Sequence, residues 1–236
     1  MDELEIRKSV REHYAGEAEG CCAASSSCCG SETAPAASAG ASDVAGIARL
    51  GVGDPMERLA PREGETVLDL GSGPGRDVLF AAERVGPRGL ALGVDATPEM
   101  VYRAREAAQS LGRANAEFRL GEIEHLPVES ASVDGISSDC VVNLSPDKAG
   151  VFREALRVLK PGGRIVVSDV VADRELPAEV RQDRERWAAC EAGAVTVAEY
   201  ESLLHEAGFQ DVRTEVRGGY REGLSRAVVT ARKPQA

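Results

Sequence analysis

Residues Glu65–Asp77 read ETVLDLGSGPGRD. A short apolar run, Glu65–Leu70, is stopped by glycines at 71, 73 and 75, the pattern of a buried strand that turns sharply into a helix. Gly71 permits the tight turn, and Gly73 lets the backbone approach a ligand closely. The spacing Gly71-x-Gly73-x-Gly75 differs from the G-x-G-x-x-G that seats a pyrophosphate on a helix N-terminus. No Gly-Lys-Ser/Thr follows, so the loop is not a phosphate P-loop either. Asp69, placed just before the glycines, would repel a phosphate and suits a cation. A second apolar run, Leu90–Asp95 (LALGVD), ends in Asp95, twenty residues past Gly75, where an acid can hold both hydroxyls of a ribose.

Strand and helix signals alternate from there to the end of the chain. Thr97-Pro98-Glu99 opens a helix with a capping hydroxyl, a first-turn proline and an acid at the positive end. Its apolar face carries Met100, Val101, Ala104, Ala107, Ala108 and Leu111, and Gly112 stops it. Glu117–Leu120 and Val133–Ser138 read as the third and fourth strands. Ser145-Pro146-Asp147 opens a helix running to Leu159, and Pro161-Gly162-Gly163 breaks it. Arg164–Asp169 is the fifth strand, followed by helices over 177–193 and 197–207. Val212–Val216 and Ala227–Ala231 read as a terminal antiparallel pair. Such alternation predicts a doubly wound α/β fold with a mostly parallel, seven-stranded sheet, covered on both faces and joined by right-handed crossovers.

The chain has 236 residues, 28 basic against 39 acidic, for a formal charge of −11. That charge repels phosphate backbones and anionic lipid, arguing against nucleic-acid and membrane-surface roles. No 18-residue apolar run exists to span a bilayer. The N-terminus, MDELEIRKSVREHY, has no apolar signal core, and a cytoplasmic location is expected. Residues 2–14 can form a short charged helix, whereas Ala15–Asp43 is nearly all Ala, Ser, Gly, Glu and Cys and reads as a flexible arm. The expected divisions are 1–46 for helix and arm, 47–172 for the Rossmann-like core, and 173–236 for the C-terminal helices and strand pair that complete the sheet and cover the substrate. In a reducing cytosol the six cysteines suit ligand or redox roles better than disulfides. Cys21, Cys22, Cys28 and Cys29 crowd the arm, while Cys140 and Cys190 stand alone.

An acid before the loop, three alternating glycines and an acid ending the second strand look like the S-adenosylmethionine site of class I methyltransferases. That resemblance makes Asp69, Gly71, Ser72, Gly73, Gly75, Asp95 and Ala96 the candidate cofactor residues. Glu122 and Ile123, after the third strand, are the candidates beside the adenine. The segments Phe118–Val128 (FRLGEIEHLPV), Cys140–Lys148 (CVVNLSPDK), Arg157–Gly163 (RVLKPGG) and Cys190–Ala194 (CEAGA) extend the likeness. From about Leu50 to Phe209 the chain resembles the arsenite S-adenosylmethionine methyltransferases. The glycine loop and Leu-Lys-Pro-Gly-Gly turn occur in many methyltransferases; the two cysteine segments are the specific part.

By that resemblance, Cys140 and Cys190 are the arsenic-binding thiolates near the methyl donor, soft ligands for a thiophilic centre. The family usually carries Gly-Cys-Gly before the domain, where this chain reads Leu50-Gly51-Val52-Gly53. A monomethylated trivalent arsenical has only two exchangeable positions, which Cys140 and Cys190 alone could fill. Cys21, Cys22, Cys28 and Cys29 are candidates for a third thiolate. Asp139 stands where the family commonly has Asn, adding negative charge beside Cys140. The implied reaction transfers methyl to arsenite or methylarsenite, releases S-adenosylhomocysteine, and draws electrons from a thioredoxin- or glutathione-type thiol reductant. Two other readings stay open: a small-molecule C- or O-methyltransferase with packing cysteines, and a thiol protein that binds metalloids without turnover. His13, His125 and His205 offer no evident general base for the former. Trp187 and Tyr200 are expected in helix packing, and Glu191 on a solvated helix face.

Overall fold

The structure, a computed structural model, describes residues 2–20, 47 and 51–235. The chain begins with α1 (Glu3–Gly20) and α2 (Pro55–Leu59), then β1 (Thr66–Leu70), α3 (Arg76–Val85), β2 (Leu90–Asp95), α4 (Pro98–Ser110) and β3 (Ala116–Leu120). It continues with β4 (Val133–Asp139), a 3-10 turn (Val142–Leu144), α5 (Lys148–Val158), β5 (Leu159–Ala172), α6 (Ala178–Arg181), α7 (Arg184–Ala188) and α8 (Val197–Ala207). A hairpin of β6 (Gln210–Arg221) and β7 (Leu224–Arg232) closes the chain.

The seven strands form one sheet in the order β3-β2-β1-β4-β5-β7-β6. The first five strands pair in parallel, and β7 runs antiparallel to both β5 and β6. The chain winds outward through β1, β2 and β3, then crosses back to place β4 on the other side of β1. The carboxyl ends of β1 and β4 therefore diverge into the crevice where such sheets bind ligands. Side chains alternate across β1: Leu68 and Leu70 join one apolar layer with Ile136, Phe152 and Tyr200, while Val67 joins the other with Val78, Ala81 and Phe118. The low aromatic content makes these layers mostly aliphatic, with Phe152 and Tyr200 in edge contact at 5.4 Å between ring centroids.

Four parts of the chain differ from the sequence expectation, the first being β5, which begins at Leu159 and runs through Pro161-Gly162-Gly163, where a break before Arg164 was expected. Helix α1 runs past Tyr14 to Gly20, so residues 15–20 continue a helix where an arm was expected. Ile6, Val10, Tyr14 and Ala18 recur every fourth residue and form one face, of which Ile6 and Ala18 are buried. Packing of that face supplies the burial that the composition of 15–20 cannot. The helix expected over 177–193 is two short helices, because the Asp183 carboxylate caps the backbone N–H of Arg186 and starts α7 afresh. The terminal strands pair over more residues than expected, since their register continues with bulges along β7. Residues 21–46, with Cys21, Cys22, Cys28 and Cys29, lie outside the described residues. No helix among the described residues is long and apolar enough to cross a membrane.

Candidate active site

The crevice above β1 and β4 opens into a cleft lined by Asp69, Gly71, Ser72, Gly73, Asp95, Ala96, Glu122, Ile123 and Cys140, among others. Its walls come from α1, the glycine loop and the ends of β1, β2 and β4. Gly71, Gly73 and Gly75 all take left-handed backbone, with φ of 65°, 50° and 90°. A Cβ at Gly71 would collide with Val141, and one at Gly75 with Phe118. The glycine loop is thus fixed by what packs against it as well as by its own turns. Gly75 does not line the cleft; it starts α3.

The loop and its acids form one unit. Asp95 accepts hydrogen bonds from the N–H groups of Gly73 and Thr97, both at 2.8 Å. Asp69 accepts from the Ser137 hydroxyl of the neighbouring strand. Burial, then the Asp77, Asp139 and Asp95 carboxylates, push the Asp69 carboxyl well above its ordinary value. Burial also raises Asp95. A cleft with this many carboxylates is short of positive charge, and a cationic ligand would supply it. The Ser72 hydroxyl is buried on the same wall without a hydrogen-bond partner. These features fit S-adenosylmethionine: acids for its cationic groups, an orphaned hydroxyl, and a backbone cradle that admits no Cβ.

Cys140 follows β4 directly on the cleft wall, and Cys190, in the turn after α7, lies outside the cleft lining. Both are buried, 7% and 3% exposed. Both also hold left-handed backbone, φ 59° and 60°, rare for residues with a Cβ. The Cys190 thiol donates to the Cys140 carbonyl oxygen at 2.8 Å. Contact with Cys190 and burial together push the Cys140 thiol pKa up. Around them pack Val170, Ala172, Ala194 and Leu224, with Val52, Leu144, Leu176 and Tyr220 partly covering. Val52 therefore joins the apolar wall of this pair. Asp139 accepts hydrogen bonds from the N–H groups of Val52 and Gly53, so its charge holds the 51–53 loop in place.

The Cys140–Lys148 segment folds into a clamp. Asn143 receives Asp169 on its N–H at 3.1 Å and donates its side-chain amide to the carbonyls of Val170 and Cys190. Gly193 of the second cysteine segment lies against the Asn143 carbonyl so closely that a Cβ there would collide with it. Ser145 donates to Glu124, and Asp147 caps α5 at Gly150. Lys148 is buried over the Trp187 ring, and burial lowers its pKa to about 8. Asp169, fully buried, is raised to about 7.

Sequence reasoning missed α1 as a wall of the site. Arg7, Val10, Arg11 and Tyr14 all line the cleft. Arg11 pairs with Glu122 at 2.7 Å, and Arg7 with the buried Glu124 at 3.0 Å. The Tyr14 hydroxyl donates to the Ala188 carbonyl at 3.3 Å, two residues before Cys190. Burial and both thiols hold its pKa well above the ordinary phenol value. The four-residue spacing of Ile6, Val10, Tyr14 and Ala18 was the available signal. Glu191 also departs from expectation: it is buried and paired with Arg186 and Arg221.

Sheet order, glycine cradle and paired acids define a class I methyltransferase fold. A family described as "Methyltransferase domain" matches residues 61–208. The arsenite methyltransferase of Halobacterium salinarum is 46% identical over 230 residues, covering 89% of this chain and 59% of that protein. That of Aquipseudomonas alcaligenes is 47% identical over 158 residues, covering 64% of this chain and 46% of its own. The crystal structure of an arsenic (III) S-adenosylmethionine methyltransferase from Chlamydomonas reinhardtii superposes with a TM-score of 0.68 at 38% identity, covering 79% of this chain and 68% of that one. This chain belongs to the arsenite methyltransferase family. It spans about half the length of the curated relatives it matches.

Proposed function

We propose that this protein methylates trivalent arsenic, arsenite or methylarsenite, held by the thiolates of Cys140 and Cys190. The observation that carries the reading is the meeting of two buried cysteines, each on left-handed backbone, one of which lines a cleft whose acids and glycine cradle suit a cationic nucleoside. Arsenite exchanges two hydroxyls for two thiols, As(OH)₃ + 2 RSH → (RS)₂As–OH + 2 H₂O; methylarsenite gives (RS)₂As–CH₃ in the same way. Both products are neutral, which suits the apolar wall of Val52, Leu144 and Val170.

S-adenosylmethionine, when bound, supplies an electrophilic methyl group that the arsenic lone pair takes up, and S-adenosylhomocysteine remains. Asp69, Asp95 and the glycine cradle would hold that donor, and Glu122 and Ile123 would flank its adenine. The chain's own contribution is positioning. The Asn143 clamp fixes the two thiols relative to β4, and effective concentration at well-aligned sites contributes roughly 7–11 kcal/mol. The methylated arsenic is a pentavalent cation, and the two sulfurs can return it to the trivalent state by leaving as a disulfide, two As–S bonds breaking as one S–S bond forms, while a water gives arsenic its hydroxyl and releases a proton. A thioredoxin- or glutathione-type dithiol or thiol would then reopen that disulfide by exchange.

Incubation with S-adenosylmethionine, a thiol reductant and either arsenical, followed by arsenic speciation, tests the reading. Methylated arsenic is the expected product. Absence of methylated arsenic from both substrates overturns it, as would full turnover by a variant lacking both thiols.

A further inference from the structure

Two thiolates leave one degree of freedom at a bound arsenic. Trivalent arsenic is pyramidal, with three ligands and a lone pair. Held at two sulfurs only, it can swing about the line joining them, so that its third substituent and its lone pair exchange places. Methyl transfer requires the lone pair to face the cleft, and something must therefore hold the third substituent.

The apolar residues clustered with the two cysteines are mostly aliphatic, among them Val52, Leu144, Val170, Ala194 and Leu224, while the buried Asp169 carboxylate approaches Cys140 from the side away from the cleft. Three tyrosine hydroxyls lie near the pair, and Tyr200 is fully buried in the core, outside the cleft lining. Tyr220 comes from the β6 side and lies outside the cleft lining. Tyr14 comes from α1, lines the cleft beside Cys140, and bonds the Ala188 carbonyl two residues before Cys190. Its bond to the Ala188 carbonyl is 3.3 Å, long for a phenol, whose hydrogen bonds cluster near 2.7–2.8 Å. A weakly committed donor beside the sulfurs is available to a ligand, and a phenol keeps its proton at neutral pH.

We propose that the Tyr14 hydroxyl is the third contact of the arsenic site, donating a hydrogen bond to the hydroxyl that arsenite retains after two thiolates have bound. This assignment rests on the arsenic-methylation reading above. It makes Tyr14 a specificity-determining residue. The hydroxyl of (RS)₂As–OH is held at Tyr14, and the lone pair is thereby aimed at the methyl donor. In (RS)₂As–CH₃ the third substituent is apolar, has nothing to accept from Tyr14, and lies against the aliphatic wall. The phenol therefore serves arsenite in the place where Val52 supplies no thiol.

The test compares kcat/KM for arsenite and methylarsenite in the full chain, in Tyr14→Phe and in Tyr220→Phe. Phenylalanine preserves the ring packing of α1, and methylarsenite turnover in the same variant reports that the site is intact. Tyr14→Phe should lose roughly ten-fold on arsenite, the size of one neutral hydrogen bond, with methylarsenite and the KM for S-adenosylmethionine changed less than about two-fold. Equal losses on both substrates, or no loss on either, would overturn the assignment. So would a change in the substrate ratio confined to Tyr220→Phe, or a wild-type enzyme that turns over methylarsenite alone; the functional reading survives all of these. A wild-type enzyme inactive on both arsenicals removes the functional reading and this assignment with it.

Discussion

The thiol of Cys190 donates to the backbone carbonyl of Cys140, and each of these residues sits in the left-handed region of backbone space. That conformation costs roughly 1–2 kcal/mol for a residue with a Cβ, and it persists only where the surroundings dictate it. Here they do. The Cys140 N–H is tied to the Ser168 carbonyl, and the Cys190 N–H to the Trp187 carbonyl. Asn143 bonds the Cys190 carbonyl from the β4 side. The sulfurs are therefore placed by backbone that has little freedom to move, which is what a two-point soft-ligand site requires.

Either thiol alone should be insufficient. Cys140→Ser and Cys190→Ser each leave one sulfur, and a hard hydroxyl replaces the other. Trp187, the single tryptophan, packs three residues before Cys190 and offers a local fluorescence signal for arsenical binding. Both variants should lose the arsenical-induced change while binding S-adenosylhomocysteine within about two-fold of wild type. Undiminished arsenical affinity in either variant would remove the two-thiolate site.

Helix α1 should respond to Arg7 more than to Arg11. Arg11 is half-exposed, and exposed pairs such as Arg11–Glu122 contribute about 0–1 kcal/mol. Arg7 instead faces Glu124, whose side chain is only 3% exposed and also receives Ser145. Removing one partner of a fully buried pair costs about 3–5 kcal/mol; Arg7 is itself 24% exposed, which screens the pair and lowers the figure to roughly 1–3. Arg7→Met should raise hydrogen exchange across residues 3–20 and weaken ligand binding in the cleft, with Arg11→Met nearly silent. Equal effects from the two would show that burial of Glu124 does not govern docking.

The sheet was legible because its code is local. Apolar runs stopped by glycines, and helices opened by Thr97-Pro98 or Pro146-Asp147, depend on residues adjacent in sequence. The two cysteine segments were legible only as separate patterns. That Gly193 must lack a Cβ follows from the Asn143 carbonyl, fifty residues away in the chain, and Asn143 in turn answers to Asp169. The role of α1 was hidden for a similar reason. Tyr14 belongs to the site through α1 packing on α7 and α4, and nothing near residue 14 encodes that contact beyond the four-residue stripe. Glu191 looked solvated because its partners, Arg186 and Arg221, come from different elements.

Binding of a cation in the cleft should release protons. Burial and neighbouring carboxylates raise Asp69, and burial raises Asp95, so both retain protons above the ordinary carboxylate range. A bound sulfonium and ammonium favour the ionised forms and lower both values. Affinity for S-adenosylmethionine should then increase as pH rises from the ordinary carboxylate value of about 3.9 through the raised ones, by linkage. Calorimetry at a series of pH values above about 4, each in two buffers of different ionisation heat, should show net proton release on binding. Proton uptake, or heats independent of buffer, would mean that these acids do not face the cationic part of the ligand.

Stability should fall as pH rises from about 5 to 7.5. Asp169 is the clearest cause: buried and raised to about 7 in the fold, it has an ordinary value near 3.9 when unfolded. Between those values the folded chain binds a proton that the unfolded chain has lost. The contribution of Asp169 is therefore complete below about pH 4 and disappears as pH rises through about 7, a change of roughly 2–4 kcal/mol. Asp69 and Asp95 act in the same direction. Glu65 and Glu154 act oppositely, because their arginine partners lower them; their stabilisation is present above the ordinary carboxylate value and lost only below it. Lys148, lowered to about 8, loses its contribution as pH falls from about 10.5 through 8 and is charged in both states below that. The window from 5 to 7.5 is left to the raised aspartates, and thermal unfolding should give a higher midpoint at pH 5 than at pH 7.5. A midpoint that rises across this window would show that Asp169 is already ionised in the folded protein at pH 5.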